Sequence, residues 1–235
     1  MKRFLKIIPT LMVVVVLSGC LYPEGDLAQN KIPYEEQIQS VQAAVNQYRE
    51  DENGLIPIKT KENETPIYRK YLIDFSKIVP RYMASTPGNA YEKGGVFQYV
   101  LIDVEDAPKV KLFDIRIAEK IREISIRIRS QGYPPFKEQI GDNVYTLDFS
   151  KLGYKQDPFV VSPYSENNLP FVITGNGDIF VDYRQDLFRK LQDPSEVYEI
   201  GEDLRPLLVQ DSHFVPAYSL PYVLNEKNEP DFQVN

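Results

Sequence analysis

The sequence predicts an α+β fold in which a mainly antiparallel sheet packs against helices. Two observations predict it: two long stretches carry apolar residues at helical spacing, and several short aromatic or β-branched runs are separated by turns. A third observation, a sequence block that occurs twice, indicates two related helix–strand–hairpin modules in tandem.

The first predicted helix spans residues 34–51. Ile38, Val41, Val45 and Tyr48 lie on one face of a 3.6-residue period. Two glutamates occupy its first turn, where negative charge suits the helix dipole, and an Asn-Gly pair follows its last turn. We therefore expect an amphipathic helix that buries its aliphatic face.

Strands are predicted after this helix. Val96–Val104 is rich in β-branched and aromatic residues, and Tyr145–Leu152 is a second run of this kind. Phe171–Thr174 and Asp178–Tyr183 flank Gly175-Asn176-Gly177, and Asn-Gly between two apolar runs is the strongest short signal for a hairpin. We therefore expect hairpins in the sheet.

Residues 112–131 fit two structures. Ile124, Ile126 and Ile128 alternate with polar residues, as they would in a strand. The length of the segment and its Glu–Arg pairs three or four residues apart favour a helix instead, which we predict. The isoleucines at helical spacing are Ile117, Ile121, Ile124 and Ile128.

Two further predictions concern the end of the chain. Gln185–Gln192 has three apolar residues at helical spacing and is predicted to be a short helix. Asp211–Asn235 contains three prolines and little periodicity. We expect this last segment to be an irregular arm.

The N-terminus resembles the signal of a bacterial lipoprotein. A short basic head precedes an apolar run, Ile7–Leu17, which is too short to span a bilayer but fits a signal peptide. The lipobox-like sequence Leu17-Ser18-Gly19-Cys20 follows, with the only cysteine of the chain. The resemblance implies cleavage after Gly19, a diacylglyceryl group on Cys20, and a place on the extracytoplasmic face of the cell membrane.

Removing residues 1–19 changes the formal net charge from −7 to −10. An acidic body argues against nucleic acid as a partner.

These observations give a domain plan. The predicted segments are a signal peptide (1–19), a lipidated tether (20–33), a first module (34–108), a second module (109–186), and a C-terminal helix with an irregular arm (187–235).

The repeated block is Tyr71–Ile78, which recurs as Tyr145–Leu152 at an offset of 74 residues. Both copies contain Asp-Phe-Ser-Lys, and a helix ending in glycine and proline precedes each. Capping of a turn explains these residue types, and the alternative is a functional surface shared by the two copies. The candidate residues of that surface are Asp74, Ser76, Lys77, Asp148, Ser150 and Lys151.

Chemistry-bearing patterns are sparse. His213 is the only histidine, and in Asp211-Ser212-His213 neighbouring side chains of an extended chain point in opposite directions, so no triad is expected. The spacing of acidic residues matches no calcium loop, and no Cys/His pattern indicates zinc. We therefore predict no catalysis, no metal and no cofactor.

The body resembles uncharacterised lipoproteins of spore-forming Gram-positive bacteria, and this resemblance implies no activity. We expect a membrane-anchored envelope protein that binds or scaffolds a protein partner, since abundant tyrosine suits recognition surfaces. The alternatives are a solute-binding lipoprotein of a transporter, whose two halves would close on a ligand, and a cell-wall hydrolase.

Overall fold

The computed structural model describes residues 34–192 and 201–233. Helices pack against antiparallel sheets, which confirms the predicted α+β class. The α-helices are α1 (Tyr34–Asp51), α2 (Ile67–Lys70), α3 (Phe75–Ile78), α4 (Arg116–Gln131), α5 (Arg184–Lys190) and α6 (Pro206–Val209). The strands are β1 (Phe97–Ile102), β2 (Lys109–Asp114), β3 (Phe136–Gly141), β4 (Val144–Leu147), β5 (Phe159–Val161), β6 (Asn168–Thr174), β7 (Ile179–Val181), β8 (Tyr222–Leu224) and β9 (Pro230–Phe232).

The predicted signal peptide, Cys20 and the tether lie outside the described residues. Within residues 34–192 and 201–233, none of the helices combines the length and the apolar character that a bilayer crossing requires.

The first half of the fold is a hairpin covered by a helix. Strands β1 and β2 pair antiparallel along six residues each, and α1 has the predicted bounds. Ile38, Val41 and Val45 of α1 are buried against this hairpin in one apolar cluster. Isolated bridges widen the layer on both sides, and they are Ile58–Ile73, Leu72–Val100, Ala90–Phe97 and Leu112–Phe214.

The second half contains a sheet of five strands in the order β3-β4-β6-β5, with β7 also paired to β6. The hairpin predicted around Gly175-Asn176-Gly177 is confirmed, because β6 and β7 pair antiparallel on either side of it. Helix α4 packs on this sheet through Ile117 and Ile124, which are buried in a second apolar cluster. Ile126 is 51% exposed, so the helical interpretation of this segment is confirmed.

The predicted start of that helix at residue 112 is wrong. Residues up to Asp114 belong to β2, and the helix begins at Arg116. The chain turns there because Asp114 Oδ1 accepts a hydrogen bond from the backbone N of Arg116 at 2.9 Å. The same Asp-x-Arg turn precedes α5 and α6, at Asp182-Tyr183-Arg184 and Asp203-Leu204-Arg205.

The segment predicted to be an irregular arm, residues 211–235, contains one regular hairpin that the sequence did not indicate. Strands β8 and β9 form an antiparallel hairpin in this segment. Tyr222 is fully buried and Phe232 is 6% exposed, and both belong to the core of the second half. Burial of these aromatic side chains, which no local periodicity announces, orders the segment.

The two copies of the repeated block have equivalent backbone contacts. The backbone N of Asp74 donates to Pro57 O at 2.8 Å, and that of Asp148 donates to Pro135 O at 2.9 Å. A short helix follows each aspartate, and its phenylalanine is buried in both copies. These contacts support a tandem origin, which stays a prediction. The boundary predicted between residues 108 and 109 falls where the turn after β1 ends and β2 begins.

Candidate functional site

A cavity of about 490 Å³ lies between the two halves, and its size is within the range of small-molecule sites. We call it the aromatic cavity because four phenylalanines from four separate segments line it. Its apolar lining residues are Phe97, Phe113, Ile117, Phe159, Val160, Val161, Pro163, Phe214 and Val215. Asp114, Arg116, Lys120, Ser162 and Glu166 complete the lining.

The first wall of the aromatic cavity belongs to the first half. Residues of the C-terminal segment run beside β2, where Leu112 N donates to His213 O at 2.8 Å and Val215 N donates to Leu112 O at 2.9 Å. This pairing places Phe214 against Phe97 of β1, with the ring centroids 5.6 Å apart and the planes at 60°. The wall is therefore assembled from residues more than a hundred positions apart.

The opposite wall is strand β5 and the loop that follows it. Strand β5 is the last strand of its sheet, so among the described residues no strand lies beside one of its edges. Phe159 and Val161 are 48% and 60% exposed, although both side chains are apolar. The wall thus combines an open backbone edge with uncovered apolar surface.

A buried carboxylate holds the loop after β5 in place. Asp186 of α5 is 2% exposed and accepts hydrogen bonds from Ser162 Oγ, at 2.7 Å, and from Ser165 Oγ. Burial raises the pKa of Asp186, and the two hydroxyl donors oppose that rise. Ser162 Oγ also accepts from the backbone N of Tyr164 at 3.0 Å, so the turn is fixed from both sides.

The charges on the lining are balanced. Asp114 pairs with Arg116, and Lys120 Nζ lies 2.9 Å from Glu123 Oε2. Glu166 is the second carboxylate of the lining, so Asp114 and Glu166 balance the two cations, Arg116 and Lys120. Apolar side chains therefore dominate the site, and the lining offers no excess of positive or negative charge to a ligand.

The lining residues form no pair of nucleophile and general base. The hydroxyl of Ser162 donates to a carboxylate, and no histidine lines the cavity. His213 is next to Phe214, but its Nε2 lies 3.8 Å from Glu35 Oε1. Within the described part of the chain, no group of three or more His, Cys, Asp or Glu residues is arranged to hold a metal ion. The arrangement suits binding by apolar contact.

The first three residues of the predicted repeat surface form a local turn. Asp74 Oδ1 accepts from the backbone N of Ser76 at 3.1 Å and from Ser76 Oγ at 2.7 Å. Lys77 Nζ donates to Ile58 O at 2.8 Å. These contacts cap α3 and attach it to the preceding segment.

The second three form a similar turn. Ser150 Oγ donates to Asp148 Oδ1, and Lys151 Nζ lies 3.4 Å from Asp148 Oδ2. The hydrogen bond from Ser150, followed by contacts with Lys151, lowers the pKa of Asp148. None of the six residues lines the aromatic cavity, and their role as a shared surface stays a prediction.

Sequence reasoning did not find the residues of the aromatic cavity. They are spread over β1, β2, α4, β5 and the C-terminal segment, with no spacing that connects them. The one available signal was composition, because the chain has 12 Phe and 16 Tyr but no Trp. For the helices, the Asp-x-Arg sequence occurs at three helix starts and is a local signal that could have located those starts.

Comparison with known proteins gives a partial relationship. No curated protein and no solved structure matches the chain. One family model matches the first half of the fold, from the start of α1 to the end of β2. That model describes the YphF family N-terminal domain, from a family of uncharacterised bacterial proteins, and residues 34–114 match it.

Proposed function

We propose that this chain is a lipid-anchored binding protein of the extracytoplasmic face of the cell membrane, and that it binds a small apolar ligand without catalysis. The aromatic cavity carries the proposal for binding, because four phenylalanines line a ligand-sized volume between the two halves. The lipobox-like sequence ending in Cys20 supports the anchor and the location.

Binding is tested with a neutral fluorophore, N-phenyl-1-naphthylamine, whose emission rises in apolar surroundings. The full chain carrying Cys20→Ser, which removes the acylation site, keeps the assay free of lipid. We expect saturable binding that Phe159→Ser weakens about tenfold, since an exposed part of the cavity wall is lost.

Phe136→Ser is the matched control for this experiment. Phe136 is 42% exposed at the other edge of the same sheet, on β3, and does not line the aromatic cavity. Equal binding by both variants, or no saturable binding by the parent chain, contradicts the proposed ligand site.

The anchor has its own test. Cells expressing the chain are labelled with an alkyne analogue of palmitate, and the membrane fraction is collected. We expect label on the parent chain and none on Cys20→Ser, which should leave the membrane fraction. Label on the Cys20→Ser chain, or an unmodified N-terminal methionine by mass spectrometry, contradicts lipidation at this residue.

A second candidate function is recognition of a protein partner in the envelope. The observation that favours it is the open edge of β5, with apolar side chains at Phe159 and Val161 beside it. An extended apolar segment of the partner would add to this edge as a strand. A photo-crosslinker at position 161 should then capture one defined apolar segment, whereas the same probe at position 136 should not. Identical products from both positions contradict this function.

A further inference from the structure

A second depression lies on the other side of Phe113, and its charge differs from that of the aromatic cavity. It has a volume of about 440 Å³, and Phe113 borders both sites. Lys61, Arg69 and Arg122 line it, with Glu119 as the one carboxylate. We call this depression the basic cleft.

The concentration of positive charge is unusual for this chain, whose formal net charge is −7. Among the ion pairs of the described residues, none involves Lys61, Arg69 or Arg122. Glu119 is one helical turn before Arg122 on α4, yet the two form no ion pair. The cleft therefore carries two unbalanced positive charges that can attract an anion.

Arg69 supplies an independent observation. Its Nε is buried and has no hydrogen-bond acceptor. Its guanidinium carbon lies 4.2 Å from the centroid of the Tyr218 ring, so the aromatic ring supports the group by a cation–π contact. A buried donor without an acceptor is rare in proteins, and it shows that the contacts within the fold leave the guanidinium group of this partly exposed side chain incompletely paired.

Tyr91 and Tyr218 also line the basic cleft, and Tyr91 is 57% exposed. Their rings and the stem of Arg122 give the cleft apolar surface beside its charges. Such surroundings suit a ligand that joins a compact anion to an organic group.

We infer that the basic cleft is a binding site for a phosphate ester, whose phosphate oxygens contact Arg69, Arg122 and Lys61. Guanidinium groups match phosphate oxygens in geometry and charge, and three cations beside one carboxylate give the cleft the net positive charge that attracts a phosphate. The ester belongs either to a soluble molecule or to the headgroup of a phospholipid. The site is separate from the aromatic cavity, so it does not depend on the ligand proposed there.

Isothermal titration calorimetry on the full chain with Cys20→Ser tests this site, with inorganic phosphate and glycerol 3-phosphate as probes. We expect binding that added salt weakens and that Lys61→Gln/Arg122→Gln weakens at least about tenfold, the effect of losing a charged contact. Arg122→Gln alone removes one exposed side chain and should produce a smaller loss at an unchanged melting temperature. Arg129→Gln, on the same helix but outside the cleft, should bind as the parent chain does.

A second experiment measures binding of the same chain and its variants to vesicles of phosphatidylglycerol and, separately, of phosphatidylcholine. Binding of soluble phosphate ester that the cleft variants weaken supports a soluble ligand. Binding only to phosphatidylglycerol vesicles, again weakened by the cleft variants, supports a lipid headgroup. The inference is overturned if no probe binds, if the cleft variants bind as well as the parent chain, or if Arg129→Gln reduces binding equally.

Discussion

The hydroxyl group of Tyr222 allows a sharp test of how the C-terminal hairpin is held. This side chain is fully buried, and its oxygen accepts from the backbone N of Tyr183 at 2.9 Å and donates to Val181 O at 3.2 Å. The group thereby connects β8 to the end of β7 and the start of α5. Tyr222→Phe removes one oxygen atom and leaves the shape of the ring unchanged.

The expected magnitude follows from what the substitution leaves behind. The backbone N–H of Tyr183 loses its acceptor inside the core, and an unsatisfied buried donor costs about 1–3 kcal/mol. We expect the free energy of unfolding to fall by about 2 kcal/mol. In a chain of this size, that loss lowers the melting temperature by about 4–8 °C.

Tyr183→Phe is the matched control. Tyr183 is also buried, but its hydroxyl lies 3.5 Å from Ala217 O, at the outer limit of a hydrogen bond. Loss of this hydroxyl should lower the free energy of unfolding by less than about 1 kcal/mol. Urea unfolding followed by far-ultraviolet circular dichroism gives both values. Equal losses for the two variants would refute the reasoning, because both rings are buried and the two differ mainly in their hydrogen bonds.

Three further predictions test other parts of the structure. Burial raises the pKa of Asp186, so the folded state holds this proton more tightly, and stability falls as pH rises above the unfolded value of about 4. The stability difference between Asp186→Asn and the parent chain should therefore change with pH in urea unfolding between about pH 4 and 7, and a constant difference would contradict this. A Cβ at Gly95 would lie 2.1 Å from the backbone carbonyl of Asn89. Gly95→Ala should therefore lower the free energy of unfolding by about 1–3 kcal/mol. An unchanged melting temperature would contradict this, because it would show that the loop moves aside at no cost. Ile124→Ala should lower the free energy of unfolding by about 2–5 kcal/mol and Ile126→Ala by less than about 0.5 kcal/mol. The reason is that helix α4 buries Ile124 and exposes Ile126. Similar losses for the two variants would contradict this orientation of the helix.

Elements with a clear local period could be predicted from the sequence. The aliphatic stripe of α1 defines both its helical structure and its buried face, and the bounds agree with the structure. The hairpin around Gly175-Asn176-Gly177 was also predictable, because the turn residues and the flanking apolar runs indicate the same structure.

Short strands were harder to predict than these elements. Strand β5 has three residues and β8 has three, which is too few for an alternating pattern to be distinct. The last three residues of strand β2, residues 112–114, were assigned to a helix because its apolar residues continue into the isoleucines of α4. Pairing with β1 and with the segment around Phe214 decides its structure, and those partners are distant in sequence.

The sequence by itself determined the α+β class, the first helix, the central hairpin, and a lipobox-like N-terminus that motivates the proposed anchor. These features depend on residues close together along the chain. Only the tertiary structure decided where the aromatic cavity and the basic cleft lie, because their linings bring together side chains from distant segments. Phe97 and Phe214 contact each other through strand pairing, and Arg69 meets Tyr218 across the fold, so neither contact has a local sequence signature.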